Sequence, residues 1–167
     1  MTDRTEFIKT ARAKFNAYDA EVWVHSFFDE NSGGYVVKHT GHKFDPDTGR
    51  FEMITVYILA GNGYAVEMLD ESDFEKLQYD INIDDIPTEI KVMYGFRNIH
   101  KRAEKAAKQG ARRIIFYINF DNDKEMFKRF DNVLKTISSI DDIWYIKNGK
   151  LRFFIQKKIA PYKNIEG

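Results

Sequence analysis

Tyr79-Asp80-Ile81-Asn82-Ile83-Asp84-Asp85-Ile86-Pro87-Thr88-Glu89-Ile90-Lys91, followed by a basic segment that runs to Gln109, is the stretch that decides how this chain reads. Tyr79–Ile83 and Ile86–Met93 are two short alternating runs rich in β-branched residues, and Asp84-Asp85 between them has the length of a tight hairpin turn. Closing the hairpin there sets Ile83 opposite Ile86 and Asp80 opposite Glu89. Lys91 lies two residues beyond Glu89, hence on the same face of the strand. Ile81, Ile83, Thr88, Ile90 and Val92 point the other way, to the side expected to be buried.

Two opposed carboxylates repel unless something cationic sits between them. Mg²⁺ or Mn²⁺ takes oxygen ligands and is commonly held by one or two carboxylates plus waters. A lysine beside such an ion can orient an attacking water or stabilise charge developing on a phosphate. The set Asp80, Glu89 and Lys91 therefore suits metal-assisted phosphodiester hydrolysis. It also has a plainer reading, in which Asp80 starts the strand at a solvated end and Glu89 pairs with Lys91.

The order of these residues resembles the Asp…(Asp/Glu)-x-Lys signature of the restriction-endonuclease-like, or PD-(D/E)xK, nucleases. Within that group the chain is similar to the C-terminal nuclease domains of contact-dependent growth-inhibition toxins of the CdiA tRNA-nuclease type, and to related domains of polymorphic toxins and mobile elements. Glu52, Gly63-Tyr64-Ala65-Val66, Asp80, Glu89-Ile90-Lys91 and Lys105-Ala106-Ala107-Lys108-Gln109 follow in the family's order. The likeness spans roughly residues 35–120, and it departs from the pattern at Tyr79, where the motif has Pro. It implies an α/β restriction-endonuclease-like core, with a central mixed β-sheet flanked by helices. It also implies catalytic roles for Asp80, Glu89, Lys91, Glu52 and Gln109, with Asp80, Glu89 and Glu52 as metal ligands for Mg²⁺ or Mn²⁺. The implied substrate is RNA, tRNA in particular, with DNA as the alternative. The partner would be a cognate immunity protein, and the site of action the cytoplasm, reached by delivery as a toxin domain.

At 167 residues the chain is expected to form a single nuclease-like domain. Residues 1–34 would be an N-terminal helix and hairpin, 35–120 the nuclease core, and 121–167 a C-terminal helix and β-hairpin. The absence of cysteine excludes a disulfide framework and thiolate metal sites. No apolar run approaches the ~18 residues of a membrane span. Net charge is +0, yet residues 1–95 hold 9 Lys and Arg against 18 Asp and Glu, and the remainder hold 17 against 8. A basic half beside an acidic half suits a nucleic-acid enzyme. It also suits two halves that neutralise each other.

Thr5–Ala20 has helical spacing, with strands expected at Glu21–Phe28 and Tyr35–His39. His25, His39 and His42 show no metal-ligand spacing. Asp47 or Thr48 is placed to cap a helix from Arg50 with Phe51, Ile54, Ile58 and Leu59 on one face, stopped by Gly61-Asn62-Gly63. Glu52 in its first turn either complements the helix dipole or, as the resemblance implies, helps hold the metal. Tyr64–Leu69 reads as a strand and Asp70–Leu77 as an acidic connection. Asn98 is placed to cap a helix over 98–109 closed by Gly110. Its Lys101, Arg102, Lys105 and Lys108, with Arg112 and Arg113 beyond, form either a solvated face or a phosphate-binding one. Arg112–Phe120 reads as a buried central strand and Lys124–Ile137 as an amphipathic helix. Ile143–Ile146 and Leu151–Ile155 form a hairpin around Asn148-Gly149. Trp144, Tyr145, Phe153 and Phe154 either pack the sheet or offer bases a stacking surface.

No Gly-rich phosphate loop and no Ser-His-Asp or Cys-His arrangement is present, which leaves covalent catalysis without its usual residues. Two rivals to the nuclease are a non-catalytic binding module of the same fold and a structural protein of a mobile element.

Overall fold

The structure, a computed structural model, describes residues 3–72 and 79–156. Its contacts divide the chain into two compact units. Among the described residues, the first contains 3–72 and Ile81–Asp85; the second contains 79–80 and 86–156.

In the first unit, α1 (Arg4–Ala17) starts at Asp3, whose side chain accepts from Thr5 N–H, and ends where Tyr18 turns extended. β1 (Trp23–Phe28) and β2 (Tyr35–His39) form the expected antiparallel pair. After α2 (Gly49–Gly61), β3 (Ala65–Met68) returns parallel to β2, and β4 (Ile81–Ile83) pairs antiparallel with β3. Phe15 of α1 packs on Tyr35 and Val37. Alternation then turns Val36 and its cross-strand partner Phe27 to the opposite face, where Phe27 meets Tyr57 of α2 edge-on.

Helix α2 corrects the expected face. Thr55, Val56, Leu59 and Ala60 are its buried residues in the last three turns, while Ile54 is 42% exposed. The segment Phe51-Glu52-Met53-Ile54-Thr55-Val56-Tyr57-Ile58-Leu59 is apolar nearly all round, so its periodicity does not single out one stripe. Thr48 occupies the cap position without a side-chain capping bond. Asp45 instead organises the turn, accepting from Asp47 N–H (2.8 Å) and Thr48 N–H (3.1 Å).

The chain leaves β4 through Asp84 and Asp85, at φ 46° and 68°, as a two-residue turn of the type I′ kind requires. It then enters the second unit as β5 (Ile86–Met93). β5, β6 (Arg113–Ile118) and β7 (Asp142–Lys147) are parallel, and β8 (Lys150–Gln156) closes antiparallel on β7. The last turn carries Asn148 at φ 53° and Gly149 at φ 73°, so the Asn-Gly reading holds. α3 (Ile99–Lys108) links β5 to β6, and α4 (Asp123–Thr136) links β6 to β7. Both pack on one face, against Ile114, Phe116, Ile118, Ile143 and Tyr145. Phe116 stacks on Phe130 of α4 at 5.2 Å between ring centres. Asn98 precedes α3 without capping it, whereas Asn122 does cap α4 through Glu125 N–H. Gly110, at φ 93°, ends α3 as expected.

Each unit is thus a mixed sheet with helices, and the chain is an α/β protein. Of the acidic connection expected at Asp70–Leu77, residues 73–77 lie outside the described residues, as does the tail from Ala160.

Candidate functional site

Asp80, Glu89, Lys91 and Gln109 all belong to the second unit. Alternation along β5 puts Glu89, Lys91 and Met93 on one face and Thr88, Ile90 and Val92 on the other. Glu89 and Lys91 register with Ile114 and Phe116 of β6, residues of the core beneath α3 and α4. The carboxylate face is therefore the helix-covered one. This corrects the expectation that the opposite side alone is buried: Glu89 is 1% exposed, as buried as Thr88 and Ile90 on the other face.

Asp80 reaches this strand by its side chain. Its Oδ2 accepts the Ile90 N–H at 3.0 Å. Glu89 Oε2 lies 3.4 Å from Lys91 Nζ, while Glu89 Oε1 is buried with no donor among the described residues. Burial, then the hydrogen bond and charge of Asp80, push the Glu89 carboxyl well above the usual carboxylate range, and Lys91 offsets only part of this. Gln109, the C-cap of α3, likewise buries an amide Oε1 without a donor among the described residues.

The donor set suits a hard divalent cation. Two adjacent carboxylates, one with an oxygen that lacks any donor, are what Mg²⁺ recruits alongside its waters. Among the described residues no group of three or more His, Cys, Asp or Glu gathers as a metal site. Any ion held here would therefore keep much of its water.

Glu52 has another neighbour. In the first unit its Oε1 lies 2.7 Å from His42 Nε2, and His42 Nδ1 lies 2.8 Å from the Leu69 carbonyl. Both oxygens can accept, so the two contacts favour a ring protonated on both nitrogens. Burial opposes that charge, but Glu52, Glu71 and the Leu69 carbonyl together hold the His42 pKa above its ordinary value.

Lys101, Arg102, Lys105 and Lys108 are exposed along α3, and no carboxylate pairs with them among the described residues. The two arginines beyond the helix behave differently. Arg112 binds Asp141 at 2.6 Å. Arg113 is buried, donating to Asp142 at 3.0 and 3.2 Å with its guanidinium 3.8 Å from the Trp144 ring centre. Trp144 and Tyr145 are core residues, whereas Phe153 is exposed.

Sequence reasoning passed over three features: the Arg113–Asp142 pair, the His42–Glu52 pair, and Tyr18, which donates to Glu67 at 3.1 Å and touches the Tyr35 hydroxyl at 3.4 Å. Each joins residues from different elements, and no short-range spacing announces them.

No protein-family model matches the chain, and no curated protein matches it. Among solved structures, the fold is similar to a chain of a CdiA-CT/CdiI toxin and immunity complex from Burkholderia pseudomallei. The two share a TM-score of 0.53 and 16% identity, over 68% of this chain and 93% of that one. At that identity the likeness is one of fold, and the fold is that of a component of a toxin and immunity complex. No helix among the described residues is long and apolar enough to cross a membrane.

Proposed function

We propose that this chain is a metal-dependent endonuclease of the toxin type that hydrolyses phosphodiester bonds in nucleic acid. RNA, tRNA in particular, is the substrate that the sequence resemblance favours, ahead of DNA. The observation that carries the reading is Glu89: a carboxyl buried beside a second carboxyl and a lysine, with one oxygen left without a donor among the described residues. A structural carboxyl is rarely placed so, because a buried polar oxygen without a partner costs about 1–3 kcal/mol.

Asp80 and Glu89 would hold the ion, with Mg²⁺ or Mn²⁺ as candidates. The ion would supply a fixed positive charge for the phosphate and a more acidic bound water. Lys91 would donate to the attacking water or to a phosphate oxygen. Gln109 would orient a neighbouring group through its amide. Lys101, Arg102, Lys105 and Lys108 would attract the phosphate backbone, a role favoured by their lack of carboxylate partners among the described residues. Among the described residues the second unit carries 15 Lys and Arg against 9 Asp and Glu, and the first carries 7 against 14. Glu52 we assign to holding His42. A cognate immunity protein would be the partner, in keeping with the toxin and immunity complex that shares the fold. The target cell's cytoplasm would be the place of action.

A non-catalytic nucleic-acid-binding module is favoured by one observation. With Glu89 protonated and Lys91 beside it, the site is stable without a cation. Digestion of total tRNA and of plasmid DNA with Mg²⁺ or Mn²⁺ separates the readings. Cleavage abolished by chelator and by Glu89→Ala supports the nuclease and identifies the substrate. A folded wild-type chain that cleaves neither leaves the binding module.

A further inference from the structure

Tyr94 is the most exposed large hydrophobic residue among those described, at 65%. It follows β5 directly, three residues beyond Lys91. Two aromatics flank Gly95 and behave oppositely. Phe96 packs into the core of the second unit and lies under Arg129, so it anchors the turn. Tyr94 has no ring partner, hydrogen bond or ion pair among the described residues. A Cβ placed on Gly95 would meet nothing within 4 Å apart from its chain neighbours, so the turn between the two aromatics is open.

The cations that follow it in the chain are also unengaged among the described residues. Arg97, Lys101, Lys105 and Lys108 have no carboxylate partner among the described residues, whereas Arg129 and Lys135 of α4 each pair one turn away along their helix. Lys101, Lys105 and Lys108 recur at the spacing of one helical face, opposite the buried Ile99, Ala103 and Ala106. An open aromatic ring at the head of an unpaired basic row is the arrangement by which proteins hold single-stranded nucleic acid. Bases stack on the ring, cations track the phosphates, and no base identity is required. A paired duplex offers no such base face along its length, because its bases are stacked on one another.

We infer that Tyr94 is a stacking platform for an unpaired nucleotide, and that the basic row of α3 takes the phosphates beside it. The site therefore accepts single-stranded or looped segments rather than duplex. This rests on the nucleic-acid reading above and adds to it the form of the substrate.

The test uses the full chain carrying Glu89→Gln, to suppress cleavage, and a fluorescein-labelled mixed-sequence RNA oligonucleotide, single-stranded or annealed to its complement. Adding Tyr94→Ala should weaken single-strand binding, read by anisotropy, roughly tenfold to a hundredfold and leave duplex binding within about twofold. Tyr94→Trp should restore it. Equal losses on both probes, or no loss on either, overturn the platform. Cleavage by the wild-type chain is read separately. Glu89-dependent cleavage without a Tyr94 effect removes the platform and keeps the nuclease; a Tyr94 effect without cleavage keeps the platform and removes the nuclease.

Discussion

Asp80 Oδ2 accepts the amide hydrogen of Ile90 at 3.0 Å. The bond ties an acid that precedes β4 to the backbone next to Glu89, so the strand itself fixes the spacing of the two carboxyls. Asp80→Asn keeps an acceptor for Ile90 but removes a charge. In chelator it should melt within about 1 kcal/mol of wild type, while Asp80→Ala loses the bond, at a cost of about 1 kcal/mol. Under the proposed function the wild-type midpoint rises with Mg²⁺, because an ion that binds only the folded chain stabilises it. Both variants should lose that rise. A rise retained in Asp80→Asn would place the ion elsewhere.

Glu89 makes the metal-free protein sensitive to alkali. Its folded pKa lies above the unfolded value, so the stability it contributes is fully present below the unfolded carboxylate pKa and is lost as pH rises through the raised one. Glu89→Gln copies the protonated form. Without metal the variant should match wild type near pH 4.5 and exceed it increasingly toward pH 9, measured by urea denaturation across pH. Parallel curves for the two proteins would show that Glu89 is ionised throughout.

What the sequence discloses and what it hides follow from distance along the chain. The Asp84-Asp85 turn, the Gly110 stop and the Asn148-Gly149 hairpin are decided by neighbours within a few residues, and each lies where local chemistry places it. Asp80 beside Glu89 follows from that turn alone. Arg113 and Asp142 are 29 residues apart and meet because two parallel strands align in register, which no local pattern specifies. Hence Arg113 reads from sequence as part of a basic surface. The burial of Glu89 was hidden for a related reason. Alternation shows which residues share a face, but not that α3 and α4 would cover that face. Glu52 near a helix start suggests a dipole partner or a ligand, and only the folded loop brings His42 to it.

Arg113 and Asp142 form a buried pair, each side chain 2% exposed. Removing one member strands the other charge in the core. Arg113→Ala should therefore cost about 3–5 kcal/mol, read as a lower urea midpoint. Arg113→Met combined with Asp142→Leu removes both charges and should be far less harmful than either single change. A double variant no better than the single one would mean that the pair's packing over Trp144, not its charge, supports this face.

His42 predicts a second pH dependence. Its folded pKa is raised, so the stability from its charged contacts is complete below the ordinary imidazole range and is lost as pH rises through the folded value. The wild-type chain should lose stability across that range relative to His42→Gln, which keeps a donor but does not titrate. The ring nitrogens observed by NMR should show protons on both sites at pH 6. A neutral ring there would mean that Glu52 carries the proton.

The two tight turns differ by one residue type, and the difference is testable. Both residues of each turn lie at positive φ, but the second is Gly149 in one and Asp85 in the other. A side chain in that region meets the backbone carbonyl, and glycine avoids the clash. Asp84 holds β3 in place, its Oδ1 accepting the Ala65 N–H at 3.0 Å, whereas no hydrogen bond involves the Asp85 side chain among the described residues. Asp85→Gly should therefore stabilise the chain by about 0.5–1 kcal/mol, the relief of strain being partly offset by the freer unfolded glycine. Asp84→Gly relieves similar strain but forfeits the bond to Ala65, and it should be neutral or destabilising. If equilibrium denaturation gave both variants the same gain, the Asp84–Ala65 bond would add nothing to the stability of the first unit.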